Sequence, residues 1–161
     1  MLRENPNLLA HLDIDVNQKS NDGYTPFYWA CNNGKTSCVQ LLLKDARVKV
    51  NGAANDGYTP LWRAACYGDL ELIKWWIASG REMDLGQPGN VTNDAIGVAK
   101  KYGKTEVVSL LEIFKANPSQ TRSEVRKELK ITGEILLSSF FLFLTHSLTS
   151  FFLFFSQISL L

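Results

Sequence analysis

Between residues 36 and 51, Cys38, Val39, Leu41, Leu42 and Leu43 fall at helical spacing and make one apolar face. That is the pattern of a helix with one side against a core. Val48, Val50 and Asn51 then read as an extended lead into a polar turn. Upstream, Asp22-Gly23 is a turn dipeptide, with glycine free to take positive φ and aspartate able to fold back on the backbone. Thr25-Pro26 follows and predicts a helix start: the hydroxyl accepts an orphan backbone N–H, and proline at the first helical position loses no bond. Gly34 comes about eight residues later, where a left-handed residue ends a short helix. The predicted unit is therefore turn, short helix, tight turn, second helix.

This unit recurs. Asn21-Asp22-Gly23-Tyr24-Thr25-Pro26 is repeated unchanged as Asn55-Asp56-Gly57-Tyr58-Thr59-Pro60, 34 residues on. The same offset carries Ala30 onto Ala64, Gly34 onto Gly68, Val39 onto Ile73, and Leu41-Leu42-Leu43 onto Trp75-Trp76-Ile77. Backwards, Val50-Asn51 lands on Val16-Asn17 and Leu42-Leu43 on Leu8-Leu9. An offset of 35 takes Ala64 to Ala99, Tyr67 to Tyr102, Gly68 to Gly103 and Ile73 to Val108. A two-helix unit of this length has too little core to stand alone, so its stability must come from stacked neighbours.

These residues resemble the ankyrin repeat family, whose pattern runs Asp-Gly-x-Thr-Pro-Leu-His-x-Ala, then Gly, then a Val-Val-x-Leu-Leu-like helix. The resemblance covers about residues 8–118. It implies an all-α solenoid of helix-turn-helix repeats joined by short hairpin-like turns. The division is a partial repeat at 1–20, two good repeats at 21–54 and 55–88, and a degenerate one at 89–118. The family's His position holds Tyr28, Trp62 and Gly97, so its usual bond to the Thr is replaceable in two units and absent in the third. Asp94-Ala95 stands for Thr-Pro in the third unit, where Asp94 can still cap. The loop Gly86-Gln87-Pro88-Gly89-Asn90 keeps turn chemistry. The clipped first repeat suggests lost upstream sequence.

Beyond Asn117-Pro118, residues 119–134 read as a basic capping helix, with Thr121 and Ser123 as capping choices and Val125 and Leu129 spaced i, i+4. Every charged residue lies within 1–134, and 135–161 hold none; seven of the nine Phe sit in that tail. Its 27 residues are long enough to span a bilayer behind a basic flank. Thr145-His146-Ser147 and Thr149-Ser150 interrupt its middle. A membrane anchor, translated non-coding sequence (Phe, Ser and Leu share pyrimidine-rich codons) and a packed soluble helix all stay open.

Charge and chemistry narrow the function. With 17 Lys+Arg against 16 Asp+Glu, the net charge is +1, and no bulk field draws the chain to nucleic acid. Residues 100–130 carry a net +4 with only Tyr102 and Phe114 as aromatics, which reads as a solvated helical face. His11 and His146 are far apart. Cys31, Cys38 and Cys66 lack paired metal spacing and read as small core residues. No phosphate loop of the Gly-x-x-x-x-Gly-Lys-Ser/Thr kind occurs. These features predict a non-enzymatic protein with no cofactor, no metal and no small-molecule substrate. An odd cysteine count without a leader predicts the cytoplasm, with a membrane-anchored form facing the cytosol as the alternative.

The resemblance implies recognition of another protein on one concave side built from turn tips and first helices. Candidate contact residues there are Asn21, Tyr24, Asn32 and Asn33 in the first full repeat and Asn55, Tyr58, Arg63, Cys66 and Tyr67 in the second. Tyr and Arg are favoured interface anchors, although Tyr24 and Tyr58 also suit a role covering neighbouring turns. Trp29, Trp62, Trp75 and Trp76 read as packing residues. The alternatives are a tail-anchored adaptor and the regulatory fragment of a larger protein. Few repeats give little shared core, so we expect reversible thermal unfolding at or below about 65 °C, the upper end of the ordinary mesophile range, by circular dichroism.

Overall fold

A computed structural model describes residues 14–86 and 94–131. The chain divides into two compact units, Met1–Val125 and Arg126–Leu161. Among the described residues the first holds three helix pairs: α1 Pro26–Asn32 with α2 Thr36–Leu43, α3 Pro60–Tyr67 with α4 Leu70–Ser79, and α5 Ala95–Lys101 with α6 Thr105–Ala116. A seventh helix, α7, spans Pro118–Glu128. Among the described residues there is no strand.

Each first helix starts where its cap dictates. Thr25 and Thr59 are extended, and their hydroxyls accept from Tyr28 N at 3.1 Å and Trp62 N at 3.2 Å, with Pro26 and Pro60 in the first turn. Asp94 does the same work for α5 by accepting from Ile96 N at 3.0 Å. Gly97 makes room for it, since a Cβ there would lie 2.8 Å from the Asp94 carboxylate. The inter-helix turns are alike too. Lys35 N, Asp69 N and Lys104 N donate back to Ala30 O, Ala64 O and Ala99 O at 2.8, 2.9 and 2.9 Å.

Helices of seven to twelve residues are marginal in water by themselves. Here α1 packs on α3 and α3 on α5, while α2 packs on α4 and α4 on α6. Small side chains let the first helices approach: Ala64, Ala65, Ala95 and Ala99 are fully buried, as is Cys31. The second helices supply bulk through Val39, Leu42, Leu43, Leu72, Ile73, Trp76, Val107 and Leu111. Phe27 meets Trp76 edge-on at 4.9 Å, tying the first helix of one pair to the second helix of the next.

Polar residues fix the register at the rims. Asn55 sits over Gly23, donating its backbone N–H to Asp22 O at 3.1 Å and its amide to Asn21 O at 3.0 Å. Gly23 has φ +82°, and a Cβ on it would come within 2.8 Å of the Asn55 backbone nitrogen. Asn17 bridges Arg47 O at 2.8 Å and Lys49 N at 2.6 Å, and Asn51, 34 residues on, accepts from Asp84 N at 3.1 Å. Arg81 donates to Asp45 O at 2.8 Å and also to Val48 O.

Several expectations change. Val50 and Asn51 form a turn instead of an extended lead, because Asn51 is held by its bond to the next unit. Thr121 does not cap α7: it lies a turn inside, is buried, and donates its hydroxyl to Asn117 O at 2.8 Å. Trp29 is 48% exposed, since α1 turns that side away from the neighbouring helices. Trp75 is half-buried and donates to Glu71 at 2.9 Å. Only Cys31 of the three cysteines is a core residue; Cys38 and Cys66 are half-buried. Val125 is buried, and Arg122 of α7 donates to Ile77 O at 3.3 Å. The partial repeat before residue 14, most of the 86–90 loop and the 135–161 tail lie outside the described residues. Among the described residues no helix is long and apolar enough to cross a membrane.

The rim geometry sets the cost of small changes. Gly23→Ala should destabilise by about 2 kcal/mol through a left-handed φ and the fixed Asn55 backbone, and Thr59→Ala by about 1 kcal/mol through its lost cap. Gly52→Ala, whose Cβ would meet only Lys49 O at 3.9 Å, should change stability little. Urea unfolding of the three variants checks this order.

Candidate functional site

The turn tips are built by the repeated hexapeptide. Ser20 N donates to Tyr24 O at 3.0 Å and Gly23 N to Ser20 O at 2.9 Å; 34 residues on, Ala54 N donates to Tyr58 O at 3.1 Å and Gly57 N to Ala54 O at 3.0 Å. Each tip ends in a tyrosine aimed at the helix it introduces. Tyr24 stacks on Tyr28 with centroids 4.7 Å apart, and Tyr58 stacks on Trp62 at 4.0 Å. Tyr24 also meets Trp29 edge-on at 5.7 Å.

Arg63 joins the two stacks. Its guanidinium carbon lies 4.7 Å from the Tyr58 ring centre, 5.4 Å from Trp62 and 6.0 Å from Tyr28, within the range of cation–π attraction. Its Nε donates to the Tyr28 hydroxyl at 2.8 Å, and its Nη2 to Asp56 at 2.7 Å. Burial opposes the Arg63 charge, but the Tyr28 bond and the Asp56 pair outweigh it and raise the arginine pKa. Burial raises the Tyr28 phenol as well, with Arg63 pulling the other way.

Two further rows follow from the repeat offsets. Trp29 and Arg63 occupy one position in successive first helices; Asn33, Tyr67 and Tyr102 occupy another. Tyr67 and Tyr102 are each 52% exposed. Lys101 lies 5.7 Å from the Tyr102 ring centre. Beside them is Cys66, whose thiol burial raises in pKa while Arg63, Lys104 and Lys101 lower it. Asp69 stands 3.5 Å from where a Gly34 Cβ would be, and the Lys104 stem lies across Gly68. Burial raises the Asp69 carboxyl, against the pull of Lys104.

The sequence-predicted contact residues therefore take different places. Tyr67 and Asn21 are exposed, and Asn32 and Cys66 half-buried. Asn55 and Asn33 are exposed, but each donates its amide to a backbone carbonyl, that of Asn21 or of Trp29 at 2.8 Å. Tyr24, Tyr58 and Arg63 are half-buried in the ring cluster. Sequence reasoning missed Trp29 and Tyr102 as surface residues. The offset that pairs Tyr67 with Tyr102 was the signal that could have found the second. Among the described residues no group of His, Cys, Asp and Glu is placed to hold a metal ion, and Cys31 is so buried that its thiol is pushed well up.

Tyr28 gives the cluster a pH dependence with a definite sign. Its pKa is raised on folding, so its contribution is fully present below the ordinary tyrosine value of about 10 and is lost as pH climbs past it. Tyr28→Phe should cost about 1 kcal/mol at pH 7 by removing the Arg63 acceptor. It should also lose less stability between pH 9 and 11 than the parent. Urea unfolding at the two pH values measures both.

Comparisons with known proteins agree with this geometry. A 37-residue stretch is 51% identical to the SMC5-SMC6 complex localization factor protein 1 of Mus musculus, and matches of the same length and identity occur in the proteins of that name from Bos taurus and Homo sapiens. The stretch is 23% of this chain and spans only 4% of the length of those relatives. The family described as ankyrin repeats in three copies matches residues 3–87, more than half of the 161. With capped helix pairs recurring at that register, the chain belongs to the ankyrin repeat family.

Proposed function

We propose that this chain is a non-enzymatic module that binds another protein on the surface formed by its turn tips and first helices. Ankyrin repeats generally mediate protein–protein interaction. The observation that carries the finer reading is a set of three exposed aromatic side chains: Trp29 on α1, Tyr67 at the end of α3 and Tyr102 just past α5. Large amphipathic rings on a rigid scaffold bury much area for little lost entropy, which is why such residues anchor interfaces. Tyr24, Tyr58 and Arg63 serve this reading as the support that holds the turn tips in place. A cytoplasmic setting suits the free thiols of Cys31, Cys38 and Cys66.

The test uses exposed residues, because removing Tyr24 or Tyr58 would also loosen the ring stacks. Trp29→Ala with Tyr67→Ala and Tyr102→Ala in the full chain should lower capture of partner proteins from a cell extract by at least tenfold, with circular dichroism unchanged. Undiminished capture by this triple variant would remove the surface from consideration.

A further inference from the structure

The chain has two Asn-Gly steps, Asn33-Gly34 and Asn51-Gly52. In such a step the backbone nitrogen after the asparagine can reach the side-chain Cγ, because glycine has no Cβ to obstruct it and its backbone turns freely. The two steps are held differently. Gly34 donates its N–H to Cys31 O at 3.3 Å, and the Asn33 amide nitrogen donates to Trp29 O at 2.8 Å. Attacking and leaving nitrogens are therefore both engaged there. Asn51 lies in a turn, and Asp84 N donates to its Oδ1 at 3.1 Å. Among the described residues neither the Gly52 N–H nor the Asn51 amide nitrogen has a hydrogen-bond partner. A Cβ on Gly52 would meet only Lys49 O, at 3.9 Å, so the peptide there has room to turn.

We propose that Asn51 is a site of spontaneous deamidation, selected over Asn33 by the way the rim holds it. Gly52 N gives its proton to base and its electron pair forms a bond to Asn51 Cγ. The tetrahedral carbon then expels Nδ2, which takes a proton back and leaves as ammonia, closing a five-membered succinimide. Water opens that ring at one carbonyl to give aspartate or at the other to give isoaspartate, whose backbone runs through the side-chain carbon. Negative charge gathers on Oδ1 during the attack, where the Asp84 N–H already points, and a donor fixed at developing charge lowers the barrier. The same bond helps set the register between repeats 21–54 and 55–88. Isoaspartate displaces the acceptor, and either product puts a carboxylate where a neutral amide stood, so conversion weakens that junction. Asn17, at the same repeat position, engages both ends of its amide with Arg47 O and Lys49 N and is followed by Gln18, so its rim is spared.

The experiment incubates the full chain at about pH 8, where base can take the backbone proton, and follows each asparagine by tryptic digestion and fragment mass spectrometry. In the folded chain Asn51 should convert about tenfold faster than Asn33, and Asn17 should stay intact. In concentrated urea the two Asn-Gly steps should convert at rates within about twofold of each other, since only the fold distinguishes them. Gly52→Ala should slow Asn51 about tenfold and leave Asn33 unchanged. Converted chain, separated by ion exchange, should unfold at lower urea concentration than unconverted chain. Equal folded rates at Asn51 and Asn33, or a faster Asn33, would overturn the selection by the rim. A folded chain that keeps Asn51 intact while the urea-unfolded chain converts would overturn the site itself. An unchanged urea midpoint after conversion would overturn the weakened junction.

Discussion

The fold depends on a shared apolar layer that no single helix pair can complete. Ala64, Ala65 and Ala99 on the first helices are small enough to bring backbones together, and Leu72, Ile73, Trp76 and Leu111 on the second helices fill the space behind them. The Phe27–Trp76 contact crosses from one pair to the next, so a pair taken alone would leave a large ring facing water. Folding a short helix costs the ordering of its backbone, and only the neighbour's side chains return enough burial to offset that. Stability is therefore a property of adjacent pairs.

Apolar burial has no direction, so something else must fix how far one unit slides along the next. The polar rims do this. Asn55 over Gly23, Asn17 on Arg47 and Lys49, and Asn51 on Asp84 are bonds between residues 30 to 34 apart. Each uses a backbone group that would otherwise be left unpaired at a turn. A slip of one residue would break all of them together, and Asn55 would lose the glycine that makes room for it. The 34-residue spacing is thus enforced by hydrogen-bond geometry at the edges and rewarded by packing in the middle.

What could be read from residues alone was whatever repeats. Thr25-Pro26, Thr59-Pro60 and Asp94 begin helices because capping chemistry is local, and the apolar faces of α2 and α4 follow from spacing within a dozen residues. The misses share a cause. Arg63 pairs with Tyr28 at a separation of 35 residues, and Arg81 with Asp45 and Val48 at 36 and 33; no local pattern marks an arginine for such a bond. Trp29 was assigned to packing because it stands in an apolar run. Which side of a seven-residue helix faces water is decided by α3, and periodicity over so few residues cannot separate that side. Thr121 differs for the opposite reason, since a residue type suited to capping sits equally well inside a helix that starts earlier, at Pro118.

The same division shapes the candidate site. The repeated tyrosines, which looked like contact residues, are committed to ring stacks, and Arg63 is committed to Tyr28 and Asp56. Those commitments stiffen the turn tips and leave the rings at Tyr67 and Tyr102, outside the stacks, as the adaptable surface. A partner meeting a surface already ordered in this way need not spend binding energy on ordering it. Sequence differences between the units then matter more than their likeness. Asn33, Tyr67 and Tyr102 share one position, yet only the last two give aromatic area, and Tyr102 has Lys101 over its ring at 5.7 Å. A stack of near-identical units becomes selective where the repetition fails.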